Sequence, residues 1–395
     1  MIQEKKEIMA GLHLGKSGAQ LTWYTAQEKE PVTVTSENGD EHDKIPVPPE
    51  AWAALEDRDA DDAPLVSFLR YCLRLVPGYQ SPEQMRVMMT VRELTPLAGE
   101  RLPRSMEKLG LERKNIYVQD YRSSFFYYAV NQKRELWSGD VALFEYDDAQ
   151  DRIVGSILHV DRSTTPALVT VTQEQDQKLD RSVRGSRNDQ EWDSERDRLF
   201  FEFLKKVFDR RNVTTCYLMG NYFDRSWAPR SFQYLCFHRH AFQGNNLYTR
   251  GACYAAMERA GALPLPGLLF LGADIVRENM GMMMRIRGKE TYYPVVSAGV
   301  NWYEAHHTCE FIPDGERSVS LITRPMTGGL EVTHVLRLTG FPDRPNRATR
   351  LRLTVYFTSP DCCVTEVEDL GFGGFYKPSG KKWKREIHVR CTDEL

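Results

Sequence analysis

Side chains suited to chemistry fall in short, separated runs along the 395 residues. His238-Arg239-His240 and His306-His307 offer imidazoles, the commonest metal ligands. No Cys/His spacing around them matches a structural zinc site, so they read as surface or interface histidines and no metal site is expected. Of eight cysteines, none forms C-x-x-C, and the vicinal Cys362-Cys363 reads as incidental rather than redox-active. Most of the others sit in apolar runs such as Thr215-Cys216-Tyr217-Leu218-Met219, as small buried hydrophobes do. No Ser/His/Asp or Cys/His constellation and no Walker phosphate loop is present. The remaining signal is glycine. Gly11 and Gly15 bracket Leu12-His13-Leu14 ahead of Lys16-Ser17, and Gly220 closes an apolar run. Glycine at a strand turn lets backbone N–H groups approach an anion. A helix N-terminus beside Gly220 or Gly251 would add a favourable dipole. Equally, Gly11 and Gly15 can be plain hairpin glycines, and Gly371-Phe372-Gly373-Gly374-Phe375-Tyr376 either a turn with packed aromatics or an exposed recognition loop.

Strands and helices must position these residues. Ile8–Leu14, Gln20–Thr25 and Pro31–Thr35 predict a meander of short strands. Residues 37–62 are acidic and proline-containing, with Asp57–Asp62 a solvated charge run. Leu65, Phe68, Leu69, Cys72 and Leu73 share one face of a helix over 64–75. A buried strand over 85–91 follows, then a helix over 95–109 that Pro103 should kink or split. Tyr117-Val118 leads into an aromatic helix over 123–131. A second strand cluster runs over 141–146, 153–160 and 168–172. After the charged 176–197 come an amphipathic helix through Leu199–Val207, a buried strand over 215–219, and helices over 231–238 and 247–260. Pro264-Leu265-Pro266-Gly267 marks a boundary, and beyond it Leu351, Leu353, Val355 and Phe357 alternate with polar residues in a half-buried strand. Recurrent turn signals there fit a small β-sandwich.

Composition excludes several classes. Lys+Arg is 52 against Asp+Glu 55, a net charge of −3, which lacks the basic excess of a nucleic-acid binder or of a protein for anionic membranes. No run approaches the ~18–20 apolar residues of a membrane span, and no long apolar stretch follows Met1–Glu7, so no signal peptide is expected. A chain of this size needs no disulfides and no C-x-x-C pair is present, so the chain is expected to be cytoplasmic.

The order of these elements, strand pair through strand–Gly–helix and then β, resembles the actin-like and heat-shock-chaperone ATPase superfamily, in particular a bacterial branch of DnaK-type chaperones. Gly11-Leu12-His13-Leu14-Gly15-Lys16-Ser17 resembles the first phosphate motif, G-I-D-L-G-T-T. Val141–Asp148, with Glu145 and Asp147, sits where the second phosphate motif starts. Tyr217-Leu218-Met219-Gly220-Asn221 resembles the adenosine motif, and Leu247–Ala256 with Gly251 the connecting helix after it. Leu338-Thr339-Gly340-Phe341-Pro342-Asp343-Arg344-Pro345, followed by a strand and Val364–Asp369, is similar to the chaperone's substrate-binding β-domain. The matches extend from about Ile8 to about Asp369. The resemblance implies an α/β two-lobed actin-like ATPase fold with ribonuclease-H-like halves, followed by a small all-β sandwich domain. It divides the chain into a first lobe at 1–136, a second at 137–264 and a sandwich at 277–389. It also implies ATP or ADP between the lobes, contacted by 11–17, Gly220 and the Gly244–Gly251 segment.

Departures from the family pattern temper the chemistry. His13 stands where the family has a magnesium-supporting Asp, and imidazole is a poor ligand for a hard cation. Asp147-Asp148-Ala149 replaces a glycine run, blocking close backbone approach and placing carboxylates against phosphate. The family's helical lid is not expected after Leu395. The expectation is a chaperone-like scaffold that binds a protein partner, with a degenerate nucleotide cleft, magnesium disfavoured and little hydrolysis. The alternatives are an active ATPase coupling nucleotide to client binding, with Glu145, Asp147 or Asp148 supplying the missing carboxylate, and an actin-like assembly protein.

Overall fold

A computed structural model describes residues 7–35, 44–147, 152–178, 184–185, 187–220, 222–265, 267–272, 274–326 and 328–389. The chain forms two compact units, Met1–Phe270 and Leu271–Leu395.

The first unit opens with β1 (Ile8–Gly15) and β2 (Gly18–Tyr24), an antiparallel hairpin, then β3 (Val32–Thr33). Gly18 closes the hairpin at φ +148, and a Cβ there would fall 2.6 Å from Lys44 Cβ, so the turn needs glycine. Helices α1 (Pro49–Glu56) and α2 (Ala63–Arg74) precede β4 (Met85–Val91), α3 (Pro96–Lys108), β5 (Ile116–Asp120) and α4 (Tyr121–Val130). The second half runs β6 (Asp140–Asp147), β7 (Arg152–Asp161), β8 (Ala167–Lys178), α5 (Asp189–Phe208), β9 (Val213–Met219), α6 (Pro229–Cys236), β10 (His240–Gly244), α7 (Leu247–Arg259) and β11 (Leu268–Phe270).

The first sheet has the order β3-β2-β1-β4-β5, and the second β10-β9-β6-β7-β8 with β11 added beyond β8. In each half the first three strands form an antiparallel meander, and two further strands (β4 and β5, β9 and β10) extend the sheet in parallel from the first strand's other edge. These are two ribonuclease-H-like halves, and the unit has the actin-like ATPase fold. One face of the first sheet (Leu12, Leu14, Val87, Met89) packs on the apolar stripes of α2 and α3. The second sheet does the same with Phe200, Phe203, Leu204 and Val207 of α5. A capping box between Asn188 and Glu191 starts α5.

The last helix of each half crosses to the other half's sheet. Phe125, Phe126 and Val130 of α4 pack on Val141, Leu143 and Leu158, whereas Ala252, Cys253 and Ala256 of α7 pack near Met9 and Met88. The two helices meet where Gly251 faces Ser124, and a Cβ at 251 would lie 2.0 Å from the Ser124 carbonyl oxygen.

Three expectations change here. Pro103 does not split α3, which is continuous with Leu102, Pro103 and Met106 buried in the core. Packing outweighs the one hydrogen bond the proline cannot make. The acidic segment 37–62, for which the sequence predicts no helix, contains α1, whose Pro49 suits a first helical turn and whose Ala51, Ala54 and Leu55 are buried. His240 belongs to β10, an edge strand with mostly exposed side chains whose sequence lacks alternation.

The second unit is all antiparallel. It comprises β12 (Glu278–Ile286), β13 (Lys289–Val296), β14 (His306–Phe311), β15 (Ser318–Pro325), β16 (Val332–Arg337), β17 (Leu351–Ser359), β18 (Cys362–Asp369) and β19 (Lys382–His388). Two four-stranded sheets, β13-β12-β15-β16 and β14-β17-β18-β19, enclose one core. Leu351, Leu353, Val355 and Phe357 point inward to meet Met280, Val319 and Leu321, as the alternation requires. Cys363 enters this core while Cys362 faces outward, because successive strand residues alternate sides. The glycine–aromatic stretch is a turn: Gly371 has φ +71, Phe372 and Tyr376 bridge, and Phe375 is left 87% exposed.

Candidate functional site

In open α/β sheets, ligands bind outside the carboxyl ends of the parallel strands. Here those ends bring together His13 of β1, Arg92 just past β4, Tyr121 just past β5, and Glu145 and Asp147 of β6. They form one network. His13 Nε2 lies 2.6 Å from the Tyr121 hydroxyl. The Tyr121 ring stacks on that of Tyr248 at 4.0 Å between centroids. Tyr248 donates its hydroxyl to Glu145 Oε2 at 2.6 Å. Arg92 donates to Glu145 Oε1 at 2.8 Å, and its Nη1 lies 3.4 Å from Asp147 Oδ2. The Arg92 guanidinium also lies 5.3 Å from the centroid of the Tyr121 ring. The network thus ties residues of the first half to residues of the second. A cavity of about 360 Å³ adjoins it, lined further by Arg122, Arg152, Gln173 and Glu174.

Burial sets the protonation states. His13 is 5% exposed. Its pKa is held down to about 3, first by desolvation and then by the positive charge of Lys44, with Gln20 opposing and Arg92 adding to the depression. The ring is neutral at physiological pH. Burial, reinforced by Glu145, raises the pKa of both Tyr121 and Tyr248, so both keep their protons.

The His13 shift has a pH consequence. A histidine whose folded pKa is depressed adds no pH-dependence above its unfolded value, here 6.5, where both states are neutral. Below it the unfolded chain takes up a proton that the folded chain refuses. Stability therefore falls as pH drops from 6.5 toward 3, by up to about 1.4 kcal/mol per pH unit from this group. Urea midpoints of the full chain at pH 7, 6.5, 6 and 5.5 should show the loss, and His13→Gln should flatten it.

Other residues expected at the site lie as follows. Gly15 borders the network, a Cβ there falling 3.4 Å from the Tyr121 hydroxyl oxygen. Lys16 and Ser17 are on the β1–β2 turn, Lys16 3.6 Å from Glu56 and Ser17 accepting from Lys44 at 3.4 Å. Gly220 (φ +88) and Gly244 end neighbouring strands β9 and β10, both with open space where a Cβ would go. Gly11 and Gly251 differ from expectation. A Cβ at Gly11 would lie 2.2 Å from the Cys253 backbone nitrogen, so Gly11 admits α7 against β1, and Gly251 admits α4 against α7. Both make room for helix backbone, not for ligand. Asn221, Asp148 and Ala149 lie outside the described residues. Sequence reading missed Arg92, Tyr121 and the role of Tyr248. The available signal was a charged pair, Arg92-Glu93, directly after a buried strand, and a tyrosine opening an aromatic helix.

Among the described residues, the positions expected to support magnesium are a poor donor set for it as they stand. Magnesium takes oxygen ligands in near-octahedral geometry. Among the described residues, Glu145 and Asp147 are already engaged by Arg92, Glu145 also by Tyr248, and His13 offers nitrogen.

Solved structures resemble about two thirds of the chain at low identity. A polyphosphate/ATP-glucomannokinase from Arthrobacter sp. strain KM is 13% identical, covering 64% of this chain and 98% of that one, with a TM-score of 0.36. A Bacteroides thetaiotaomicron protein with an actin-like ATPase fold and unknown function is 10% identical over 64% and 98%, at 0.33. A non-polymerisable quadruple mutant of pCBH ParM is 8% identical over 64% and 99%, at 0.35. At these scores the fold assignment stands on strand order and direction. No curated protein matches the chain. Residues 275–389 match a domain of unknown function, DUF8552. Residues 50–273, more than half of the chain, match the C-terminal part of a family of unknown function, DUF5716, and the chain belongs to that family.

Proposed function

We propose that the protein is a chaperone-like binding scaffold whose actin-like unit keeps a degenerate nucleotide cleft and hydrolyses ATP negligibly, while the β-sandwich binds a protein partner. One observation carries this reading. Arg92 pairs with both Glu145 and Asp147, and the Tyr121–Tyr248 stack beside them meets a neutral His13, so side chains of the protein already engage the groups that would otherwise handle metal and phosphate. The sandwich supports the binding role through its resemblance to a DnaK-type substrate domain and through the two-sheet construction that resemblance implies.

Thermal melting of the full chain with ATP or ADP tests the reading. A nucleotide held at 100 times its dissociation constant stabilises by about 2.7 kcal/mol. Any such shift is expected to be the same in excess Mg²⁺ and in EDTA, because Arg92 already holds Glu145 and Asp147. A shift that requires Mg²⁺ would favour a working ATPase, in which Arg92 releases Glu145 and Asp147.

A further inference from the structure

We propose that Cys362, Glu386 and His388 form a zinc site on the outer face of the sheet β14-β17-β18-β19. The strand register builds it. Cys362 and His388 are direct partners across the β18–β19 pair, and Glu386 is two residues before His388 on the same side of the strand. Cys363 and Ile387, one residue along each strand, are buried in the sandwich core, which turns the three candidate ligands outward. Their ligand atoms all lie within 4.8 Å of one another. Tetrahedral bonds of about 2.0–2.3 Å place ligand atoms roughly 3.3–3.8 Å apart. Glu386 and His388 are both exposed, and reaching that spacing calls for rotation of these two side chains.

A second observation singles out the same spot. The other acids on this face are matched with cations: Glu310 with Arg352 at 3.0 Å, Glu366 with Lys384 at 3.0 Å and Glu368 with Lys382 at 3.2 Å. Among the described residues, Glu386 has no ion pair and sits instead against a thiol and an imidazole. Thiolate, imidazole and carboxylate together select Zn²⁺ over the hard cations Mg²⁺ and Ca²⁺, with water completing the tetrahedron. Binding releases the Cys362 thiol proton to solvent. The site clasps β19 to β18 beside the register shift at Phe357/Ser359, where Val389 N donates to Asp361 O at 2.8 Å.

Cobalt(II) added to the reduced full chain reads the site, because a thiolate–cobalt bond gives a near-ultraviolet charge-transfer band and a tetrahedral centre gives visible d–d bands. Wild type should show both bands at one equivalent, and Zn²⁺ should bleach them. Cys362→Ser should abolish the charge-transfer band. Glu386→Gln and His388→Ala should weaken binding by at least about tenfold. Cys236→Ser, at another exposed cysteine, should leave it unchanged. Far-ultraviolet dichroism of each variant confirms folding. No cobalt band in wild type, a band that persists in Cys362→Ser, or wild-type affinity in Glu386→Gln or His388→Ala overturns the proposal.

Discussion

Asp369→Ala is expected to destabilise the C-terminal sandwich by about 3–5 kcal/mol, the usual cost of stranding one partner of a buried ion pair. Asp369 is 1% exposed and accepts a two-pronged guanidinium from Arg344, at 2.8 and 2.9 Å. It also accepts the backbone amides of Gly371 at 2.9 Å and Ser379 at 2.8 Å. Burial alone would raise its pKa, but Arg344 and these amides outweigh that and hold the carboxyl below its ordinary range. Arg344 reaches onward to the Lys377 carbonyl at 2.8 Å, so a single carboxylate pins the 339–350 connection and the 370–381 turn to the end of β18. Removing it leaves a buried cation and two unpaired amides together. Hydrogen exchange of the full chain localises the effect: protection at 351–389 should drop while the first unit keeps its own. Arg344→Met combined with Asp369→Leu should recover part of the loss, because neither charge is then stranded. Unchanged protection in Asp369→Ala would mean that the loops hold themselves.

Gly251→Ala should be the most damaging of the glycine-to-alanine changes in the first unit. The new Cβ would lie 2.0 Å from the Ser124 carbonyl oxygen and 2.8 Å from its carbon, both backbone atoms that no rotamer change moves aside. Overpacking of this kind costs about 1–3 kcal/mol and sometimes more. For a unit of this size each kcal/mol lowers the melting temperature by about 2–4 °C. Gly11→Ala should act similarly, since its Cβ meets the Cys253 nitrogen at 2.2 Å and the Thr249 oxygen at 2.4 Å. Gly244→Ala is the control, with nothing within 4 Å of the added atom. Because Tyr121 and Tyr248 stand in the first turns of the two crossing helices, Gly251→Ala should also loosen their stack. Scanning calorimetry reads the first effect. A Gly251→Ala melting temperature equal to that of Gly244→Ala would contradict the close helix crossing.

Much of this architecture is written locally in the chain. The stripe Leu65-Phe68-Leu69-Cys72-Leu73 and the alternation Leu351–Phe357 each carry the period of their element, and both faces are buried as that period requires. α1 was hidden because acids and prolines surround only three buried apolar positions, Ala51, Ala54 and Leu55. β10 was hidden because an exposed edge strand needs no alternation. The site was harder to read. Gly15, His13, Glu145 and Asp147 lie at strand ends and were visible as motif positions. Arg92 and Tyr121 act only after two half-sheets and two exchanged helices bring residues 13, 92, 121, 145 and 248 together, and no spacing along the chain encodes that. Gly11 and Gly251 stood out for the right residue type and a different reason: close helix packing demands glycine as firmly as a phosphate does. Cys362 was read beside Cys363, its neighbour in sequence, whereas strand pairing sets it beside His388.

Phosphate release from the purified full chain, under saturating ATP and Mg²⁺ and in single-turnover conditions, tests the central claim most directly. Removing one well-placed group that stabilises transition-state charge costs about 10²–10³ in rate. Here both carboxylates are bound by Arg92 and the remaining position is a neutral histidine. The wild-type rate should equal the protein-free blank and should be the same in Glu145→Ala. Turnover well above the blank that disappears in Glu145→Ala would contradict the degenerate cleft and establish Glu145 as a working catalytic carboxylate.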